Sequence, residues 1–540
     1  MLTQMVLMRD GIRLATDIHL PPDAVAGARF PVIIERTPYG RADVSGSEVT
    51  LDRPQPLTRA ELAAIMARRG YVVIMQDVRG RGGSEGCFQK YVNEAEDGVD
   101  TFDWILAQDW CDGRICTMGL SYGAHTQLAA ATGGARGIAA MAIDTGGLMD
   151  LWRHSLRLGG GFELKQVTWS FRHAAKSLRA AGREAEAAAI EATDIRAAIL
   201  HGDWRVGQSP LATAPEYEAY LLKMWAMGPD DPALSGPATC AAAHFDRFPD
   251  VPVLLVGSWF DPYATNMMEL AAAIRAQNTA PFRQIMGPWL HGRRSSGRVG
   301  DADFGPAATL DAVTGRDWIT LRLDWFDHAL GRAPEPLASD LLYGMTPAAP
   351  AAWPAMGGEW LTALPATDEF PVLEGGTSVT LGFDPANPFP TLGGGVTSGV
   401  TLMAGGMFDL RAREAVLRGD AAVMSSGRLA TPLQISGTVS LTVDIAAIDP
   451  PGPADVSAVL AVRCQDGALV NVTDGFARLP TGATQAIITL LSTCFRVPAG
   501  AEILVFISTA NFPRIDFARQ TGYQIHLGEN RLRPSGAIPG

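Results

Sequence analysis

Ile115-Cys-Thr-Met-Gly-Leu-Ser-Tyr-Gly-Ala-His-Thr-Gln-Leu-Ala-Ala-Ala131 is the stretch on which the fold turns. It opens as a buried apolar strand, breaks at Gly119-Leu120-Ser121-Tyr122-Gly123, and leaves at once as a helix. A strand running straight into a helix through Gly-x-Ser-x-Gly is a nucleophile elbow. The sharp turn holds the serine in a strained conformation, and glycines two before and two after remove side chains that would collide with the strand and helix. The Ser121 hydroxyl then stands at the sheet edge, at the positive end of a helix.

The pattern alone is weak evidence, because Gly82-Gly-Ser84-Glu-Gly86 matches it too. That copy follows the loop Asp77-Val-Arg-Gly-Arg81 and enters no helix, so Ser84 reads as a structural loop serine. Upstream of the elbow, Met5–Met8 and Ile12–His19 flank Asp10-Gly11 as a hairpin. Pro31–Glu35, Tyr71–Gln76 and Ile138–Ile143 read as further buried strands of a mostly parallel sheet. Between 146 and 245 the composition turns to Ala, Arg, Glu, Leu and Trp at helical spacing, as over Ala174–Ala197. The sheet resumes with Val251–Gly257, a helix over Thr265–Gln277, the strand Phe282–Met286 and a helix over Asp317–Leu330. Beyond about 334, Pro- and Gly-rich connections separate alternating strands such as Ser436–Ile445, Ser457–Val462 and Ala501–Ser508, the texture of a β-sandwich or jelly roll. The expected units are therefore a core over 1–145 and 246–334, a helical cap over 146–245 and an all-β unit over 335–540.

In an elbow fold the acid and then the histidine follow the nucleophile along the chain. Asp261 ends the strand Val253-Leu-Leu-Val-Gly-Ser-Trp-Phe, and His291 ends Arg283-Gln-Ile-Met-Gly-Pro-Trp-Leu. Both sit at C-terminal strand ends, where they can reach Ser121. Asp144 and His328 are the rivals, the latter inside a helical pattern. One oxyanion donor is the N–H after the nucleophile, Tyr122. The loop Glu35-Arg-Thr-Pro-Tyr-Gly40 lacks an HGGG-type donor but offers the Tyr39 hydroxyl as the second. Trp152, Trp169, Trp259 and Phe260, with Phe408 and Met407 as weaker choices, are candidates to line an apolar pocket.

A formal net charge of −13 and a pI near 5.2 argue against a nucleic-acid partner. No apolar run reaches the length of a membrane span, and the N-terminus lacks a secretory pattern, so a cytoplasmic protein is expected. Six scattered cysteines read as thiols, with Cys111 and Cys116 near enough in sequence to bridge. No histidine spacing suits a metal, and no cofactor is implied. Homo-oligomer assembly is left open.

Taken together, Arg36-Thr-Pro-Tyr-Gly40, Gln76-Asp-Val-Arg-Gly-Arg-Gly-Gly-Ser-Glu-Gly86, Trp110-Cys-Asp-Gly-Arg114, the elbow, Gly287-Pro-Trp-Leu-His291, Trp325-Phe-Asp-His328, Asn471-Val-Thr-Asp-Gly475 and Ala510-Asn-Phe-Pro-Arg514 resemble the cocaine esterase and X-prolyl dipeptidyl-peptidase family of serine hydrolases. The resemblance implies an α/β-hydrolase core with an inserted helical cap and a C-terminal jelly roll. It also implies a Ser121–His291–Asp261 triad, and an oxyanion hole from Tyr39 and Tyr122. The family handles acyl esters and amides, among them benzoyl esters, α-amino-acid esters, glutaryl amides and X-Pro peptides. Its amino-acid ester branch has acidic residues just after the catalytic Asp, whereas Pro262, Tyr263 and Ala264 stand here, so an α-ammonium substrate loses support. Glu163 and Asp150 remain the candidates to hold such an ammonium. The expected function is a serine esterase working through an acyl-enzyme on a small-molecule ester or amide. The alternatives are an amidase or peptidase on the same scaffold and a non-catalytic binding protein built on it.

Overall fold

The computed structural model describes residues 1–348, 352–375, 379–399, 402–413, 418–528, 531–532 and 535–536. Its first half is built on the strands β1 (Leu2–Leu7), β2 (Arg13–His19), β3 (Phe30–Thr37), β4 (Val72–Asp77), β5 (Cys111–Leu120) and β6 (Ile138–Asp144), with helices α1 (Arg59–Arg68), α2 (Glu94–Leu106) and α3 (Tyr122–Thr132) between them. The sheet continues through β7 (Val253–Phe260), β8 (Phe282–Leu290) and β9 (Leu341–Pro347), in the spatial order β1-β2-β4-β3-β5-β6-β7-β8-β9. β1 and β2 are antiparallel additions at one edge, and from β4 to β9 the neighbours run parallel. The expected Asp10-Gly11 turn closes the first hairpin, with Gly11 at φ +90° and its N–H donating to the Met8 carbonyl (3.0 Å).

The strands read as unbroken apolar runs because both faces are covered. Side chains alternate across a strand. On β3, β4 and β5, Ile33, Val73, Met75, Cys116 and Met118 join one core with Leu62 and Met66 of α1 and with Trp318 and Trp325. Val32, Ile34, Val72, Ile74 and Ile115 join the other, with Phe102 of α2 and Leu128 of α3. Each such Val, Ile or Leu contributes about 1.5–3 kcal/mol by leaving water.

Four α-helices lie between β6 and β7: α4 (Lys165–Ala180), α5 (Glu184–Glu191), α6 (Ile195–His201) and α7 (Pro215–Ala226). Ala174–Ala197 is not one helix. Gly182 at φ +75° stops α4, and Asp194 starts α6 by accepting from the Ala197 N–H (3.0 Å). α8 (Ala264–Gln277) and α9 (Trp318–Ala329, with Asp317 as its N-cap) follow.

Past residue 334 the central sheet does not stop. β9 belongs to it and pairs on one side with β10 (Met356–Leu361). The longer strands that follow are β11 (Ala422–Arg428), β12 (Leu433–Gly437), β13 (Val439–Asp449), β14 (Ala454–Arg463), β15 (Leu469–Leu479), β16 (Gln485–Thr489), β17 (Thr493–Val497), β18 (Glu502–Ser508) and β19 (Tyr523–Leu527). Two antiparallel sheets, one built on β15-β14-β18-β11 and one on β19-β13-β16, form the all-β region. The expected strand Ser436–Ile445 breaks at Gly437 (φ +72°). On one side of the break β12 pairs with β17 and so extends the central sheet; on the other β13 enters the sandwich. The chain is thus an α/β-hydrolase with a helical insertion and a C-terminal all-β region. Among the described residues no helix is long and apolar enough to cross a membrane. Cys111 and Cys116 are both buried and both free, so the bridge that their spacing allows is not formed.

Candidate active site

Ser121 sits between β5 and α3 at φ +59° and ψ −113°, a conformation that L-residues reach only under constraint. The constraint comes from both sides. A Cβ on Gly119 (φ +147°) would stand 2.8 Å from the Gly123 Cα, and one on Gly146, after β6, 2.6 Å from the Ser121 carbonyl oxygen. Gly123 is different, since its added Cβ would find only ordinary contacts at 3.7 Å. The steric need is therefore at the first motif glycine and not the second. Every residue of α3 is buried, and two of its polar side chains are bonded inward: Gln127 accepts from Thr117 Oγ1 (2.7 Å) and Thr126 Oγ1 donates to the Gly123 carbonyl (3.0 Å). The first N–H groups of the helix are left without intrahelical acceptors beside the serine, where its dipole is positive.

Asp261 and His291 follow the ends of β7 and β8, adjacent parallel strands. The fully buried Asp261 carboxylate accepts from His291 Nδ1 at 2.5 Å with one oxygen and from the Tyr263 N–H at 2.9 Å with the other, which fixes its orientation. The residue after the histidine reaches the elbow: a Cβ on Gly292 would lie 3.1 Å from the Leu120 side chain. Among the described residues the Ser121 hydroxyl itself makes no hydrogen bond. The all-β region clamps the acid loop, since a Cβ on Gly395 would stand 2.9 Å from the Asp261 carbonyl and the Ser492 N–H donates to Thr265 (2.9 Å).

Ser121 opens on a narrow cavity that it shares with Tyr39, Tyr122 and Trp169. The rest of the wall comes from Lys90 and Tyr91 ahead of α2, Lys165 and Gln166 of α4, Tyr263 after Asp261, and Thr397 and Ser398 of the all-β region. The four non-glycine residues of positive φ in the described chain are Tyr91, Ser121, Thr145 and Ser398. Three line this cavity and the fourth precedes Gly146 behind the serine, so backbone strain is concentrated here.

The Tyr122 side chain points away from catalysis and into a buried network. Its hydroxyl donates to Glu94 (2.8 Å) and accepts from the Tyr91 N–H (2.9 Å), while Arg36 lies 3.2 Å from the other Glu94 oxygen. Burial, reinforced by Glu94, holds the phenol far above its ordinary pKa, so it stays a neutral hydrogen-bond donor. The Tyr39 hydroxyl has no partner among the described residues. Its backbone carbonyl accepts from Lys176 (2.6 Å) and its ring lies 5.4 Å from that of His173.

Several candidates fall elsewhere. Trp259 is buried with its indole N–H donating to the Tyr343 carbonyl (2.9 Å), and Phe260 is 1% exposed in the core. Trp152 packs under the Arg157 guanidinium, and Phe408 packs under that of Arg413 while its N–H donates to Asn471 (2.7 Å). Met407 is buried, its backbone bonded to Val299 and Asp301. None of these lines the cavity with Ser121. Asp144 forms a buried pair with Arg294 and accepts from Thr145 (2.7 Å), and His328 lies in the last turn of α9 beside Trp325. Glu163 is buried against Lys165 (2.6 Å), and Asp150 accepts from the Arg153 N–H and guanidinium.

Two lysines that the motif reading passes over are the most unusual groups present. Lys90 is 5% exposed, donates to Gln166 Oε1 (2.7 Å) and lies 3.9 Å from the Trp169 ring centroid. An amide hydrogen bond and a cation–π contact return about 1–3 and about 2 kcal/mol. Removing an ammonium from water costs several. Burial accordingly lowers the pKa of Lys90 strongly, with Lys165 adding to the effect. Lys165 is lowered in the same direction by burial, against the pull of Glu163.

Residues 10–293, more than half of the chain, match the X-Pro dipeptidyl-peptidase (S15) family. The chain belongs to that family. Over its whole length it is also similar to the cocaine esterase of Rhodococcus sp. (strain MB1 Bresler), at 27% identity covering 96% of this chain and 92% of that one. Among solved structures it resembles an aminopeptidase from a marine sediment Thaumarchaeota archaeon, with a TM-score of 0.70 and 18% identity over 99% of this chain and 95% of the other. It likewise resembles an α-amino acid ester hydrolase, with a TM-score of 0.66, 18% identity and the same two coverages. These two likenesses speak for the fold. As an S15 family member the chain is a hydrolase of the ester and peptide type.

Proposed function

We propose that this protein is a serine esterase that cleaves a small-molecule carboxylic ester through an acyl-enzyme. His291 takes the Ser121 proton as the hydroxyl oxygen attacks the carbonyl, and Asp261 keeps the imidazole in the tautomer that can accept it. The Tyr122 N–H and the Tyr39 hydroxyl receive the oxyanion. The alcohol leaves with the proton from His291, and water then releases the acid by the same route. The 2.5 Å contact between His291 Nδ1 and the buried Asp261 carries this reading, because a histidine so held presents its other nitrogen as a base. The strained Ser121 at the mouth of α3 supports it, as does the similarity to a cocaine esterase.

An α-ammonium substrate is the weaker reading: Glu163 is already neutralised by Lys165, and Tyr263 stands where an acidic residue would be needed. Short-chain 4-nitrophenyl esters and their matching anilides, offered to the protein and to Ser121→Ala, test the proposal. The expected result is ester hydrolysis with a +acyl mass on the intact protein, slower anilide turnover, and loss of both activities in the variant. Undiminished hydrolysis by Ser121→Ala would overturn it.

A further inference from the structure

The segment Asp77–Gly86, conspicuous in the sequence and idle in the chemistry above, carries Arg81 to the turn that bears Tyr39. Three consecutive carbonyls of that turn each accept from a cation of a different segment: Pro38 from Arg81 Nε (2.9 Å), Tyr39 from Lys176 of α4 (2.6 Å) and Gly40 from Arg59 of α1 (3.3 Å). Arg59 and Lys176 are each balanced by a carboxylate, Glu35 (3.1 Å) and Asp43 (2.6 Å). Arg81 is not. Only 5% exposed, it donates to Ser177 Oγ (2.7 Å), contacts His173 Nδ1 (3.4 Å) and lies over the rings of Phe88 and Tyr217, and among the described residues it makes no ion pair. Asp77, on the same loop, is taken by Arg41 (2.7 Å) and the Gly83 N–H (3.0 Å).

We infer that Arg81 is a positioning residue for ester hydrolysis: it fixes the Tyr39 turn and lends its unbalanced buried charge to the oxyanion through the Tyr39 hydroxyl. This rests on Tyr39 being an oxyanion donor, as proposed above. A tether alone needs no charge, because a neutral amide side chain could donate to the Pro38 carbonyl without the several kcal/mol that an unpaired buried cation costs. The negative charge of the oxyanion exists only while the tetrahedral species forms, so a cation left without a countercharge in the resting enzyme finds one at that moment. Tyr39 lines the cavity with Ser121 and Arg81 does not, so the arginine acts at one remove. His173 completes the support, with its ring 5.4 Å from that of Tyr39. A guanidinium can only donate, so His173 Nδ1 accepts from it and carries no proton. Burial, with Arg81, pushes the imidazole down to about 2, which keeps it neutral.

The test is a double-variant cycle read in kcat and KM for 4-nitrophenyl acetate, with wild type, Tyr39→Phe, Arg81→Gln and the pair. Tyr39→Phe should lower kcat about a hundredfold, and Arg81→Gln about tenfold, each at nearly unchanged KM. In the Tyr39→Phe background Arg81→Gln should cost less than about twofold, because the hydroxyl through which it acts is gone. Arg81→Lys, which keeps the charge and a donor, should recover most of the loss. A purely structural arginine would instead lower activity equally in both backgrounds, and that result, or an undiminished kcat in Arg81→Gln, overturns the inference while leaving the proposed function standing. Hydrolysis that requires Ser121 yet ignores Tyr39→Phe removes the tyrosine from the oxyanion hole and this inference with it. Should Arg81→Gln fail to fold, Lys176→Gln on the half-exposed side of the turn carries the same cycle: a smaller fall in kcat confined to the background that retains Tyr39 supports the inference, and an equal fall in both sinks it.

Discussion

Two stretches of this chain, Gly119–Gly123 and Gly82–Gly86, share the pattern Gly-x-Ser-x-Gly and differ in everything the pattern is supposed to bring about. Ser121 is strained, stands at the start of an eleven-residue helix and opens on a cavity. Ser84 lies in a loop with its hydroxyl spent internally, donating to the Asp77 carbonyl (2.7 Å) and accepting from the Ala15 N–H (2.8 Å). The glycines differ as well: Gly119 clears the helix backbone, whereas a Cβ on Gly82 would strike the Asp77 carboxylate at 2.1 Å. A motif is thus a list of absent side chains, and the neighbours decide what the absence is for.

The sharpest way to break this contrast is to exchange the roles. Ser121→Ala is expected to lower ester turnover by about a thousandfold or more while leaving unfolding unchanged. Ser84→Ala should do the reverse, keeping activity and losing about 1–3 kcal/mol in denaturant unfolding, because two backbone groups lose their partner. Equal activity loss in both variants would mean that the motif's context is not decisive. One step down in size, Gly119→Ala drives a methyl group into the Gly123 backbone, with an expected cost of about 3 kcal/mol and about a hundredfold in kcat from displacing the elbow. Gly123→Ala, with room at 3.7 Å, should cost less than about 1 kcal/mol.

Tyr122→Phe tests the support behind the elbow. It leaves the backbone N–H in place and deletes the hydroxyl that joins Glu94 to the Tyr91 N–H. Two buried partners are then orphaned, so a stability loss of about 2–4 kcal/mol is expected, with a smaller fall in kcat that appears as the strained Tyr91 relaxes.

The central sheet was legible because strands buried on both faces must be apolar throughout, and the elbow because its neighbours are local in sequence. The contact between Asp261 and His291 was to be expected from chain order at consecutive strand ends. The cavity wall was not legible. Trp152, Trp259, Phe260 and Phe408 are large aromatics like Trp169, yet they fill core or pack under guanidinium groups, and nothing in composition separates a wall from a core. Lys90 and Lys165 carry no signal of their own in the sequence, since burial of a lysine is set by packing between distant segments. Thr397 and Ser398 arrive from the all-β region, through long-range contacts that no local pattern encodes.

The last test concerns a histidine behind each of the two motifs. His125, on the helix after Ser121, is buried with both ring nitrogens lacking a hydrogen-bond partner, and burial pushes its pKa down to about 3. His173 contacts Arg81 beside the Ser84 loop, and burial, with Arg81, pushes it down to about 2. In the unfolded chain each titrates near 6.5. Between those values the unfolded chain carries a proton that the folded chain refuses, so stability rises with pH and is lost as pH falls below about 6.5, by up to about 1.4 kcal/mol per unit for each histidine. Above pH 7 neither histidine contributes. His125→Gln and His173→Gln should each flatten the dependence of unfolding free energy on pH between about 6 and 4, and a slope unchanged by either replacement would show that the imidazoles take up their protons without unfolding.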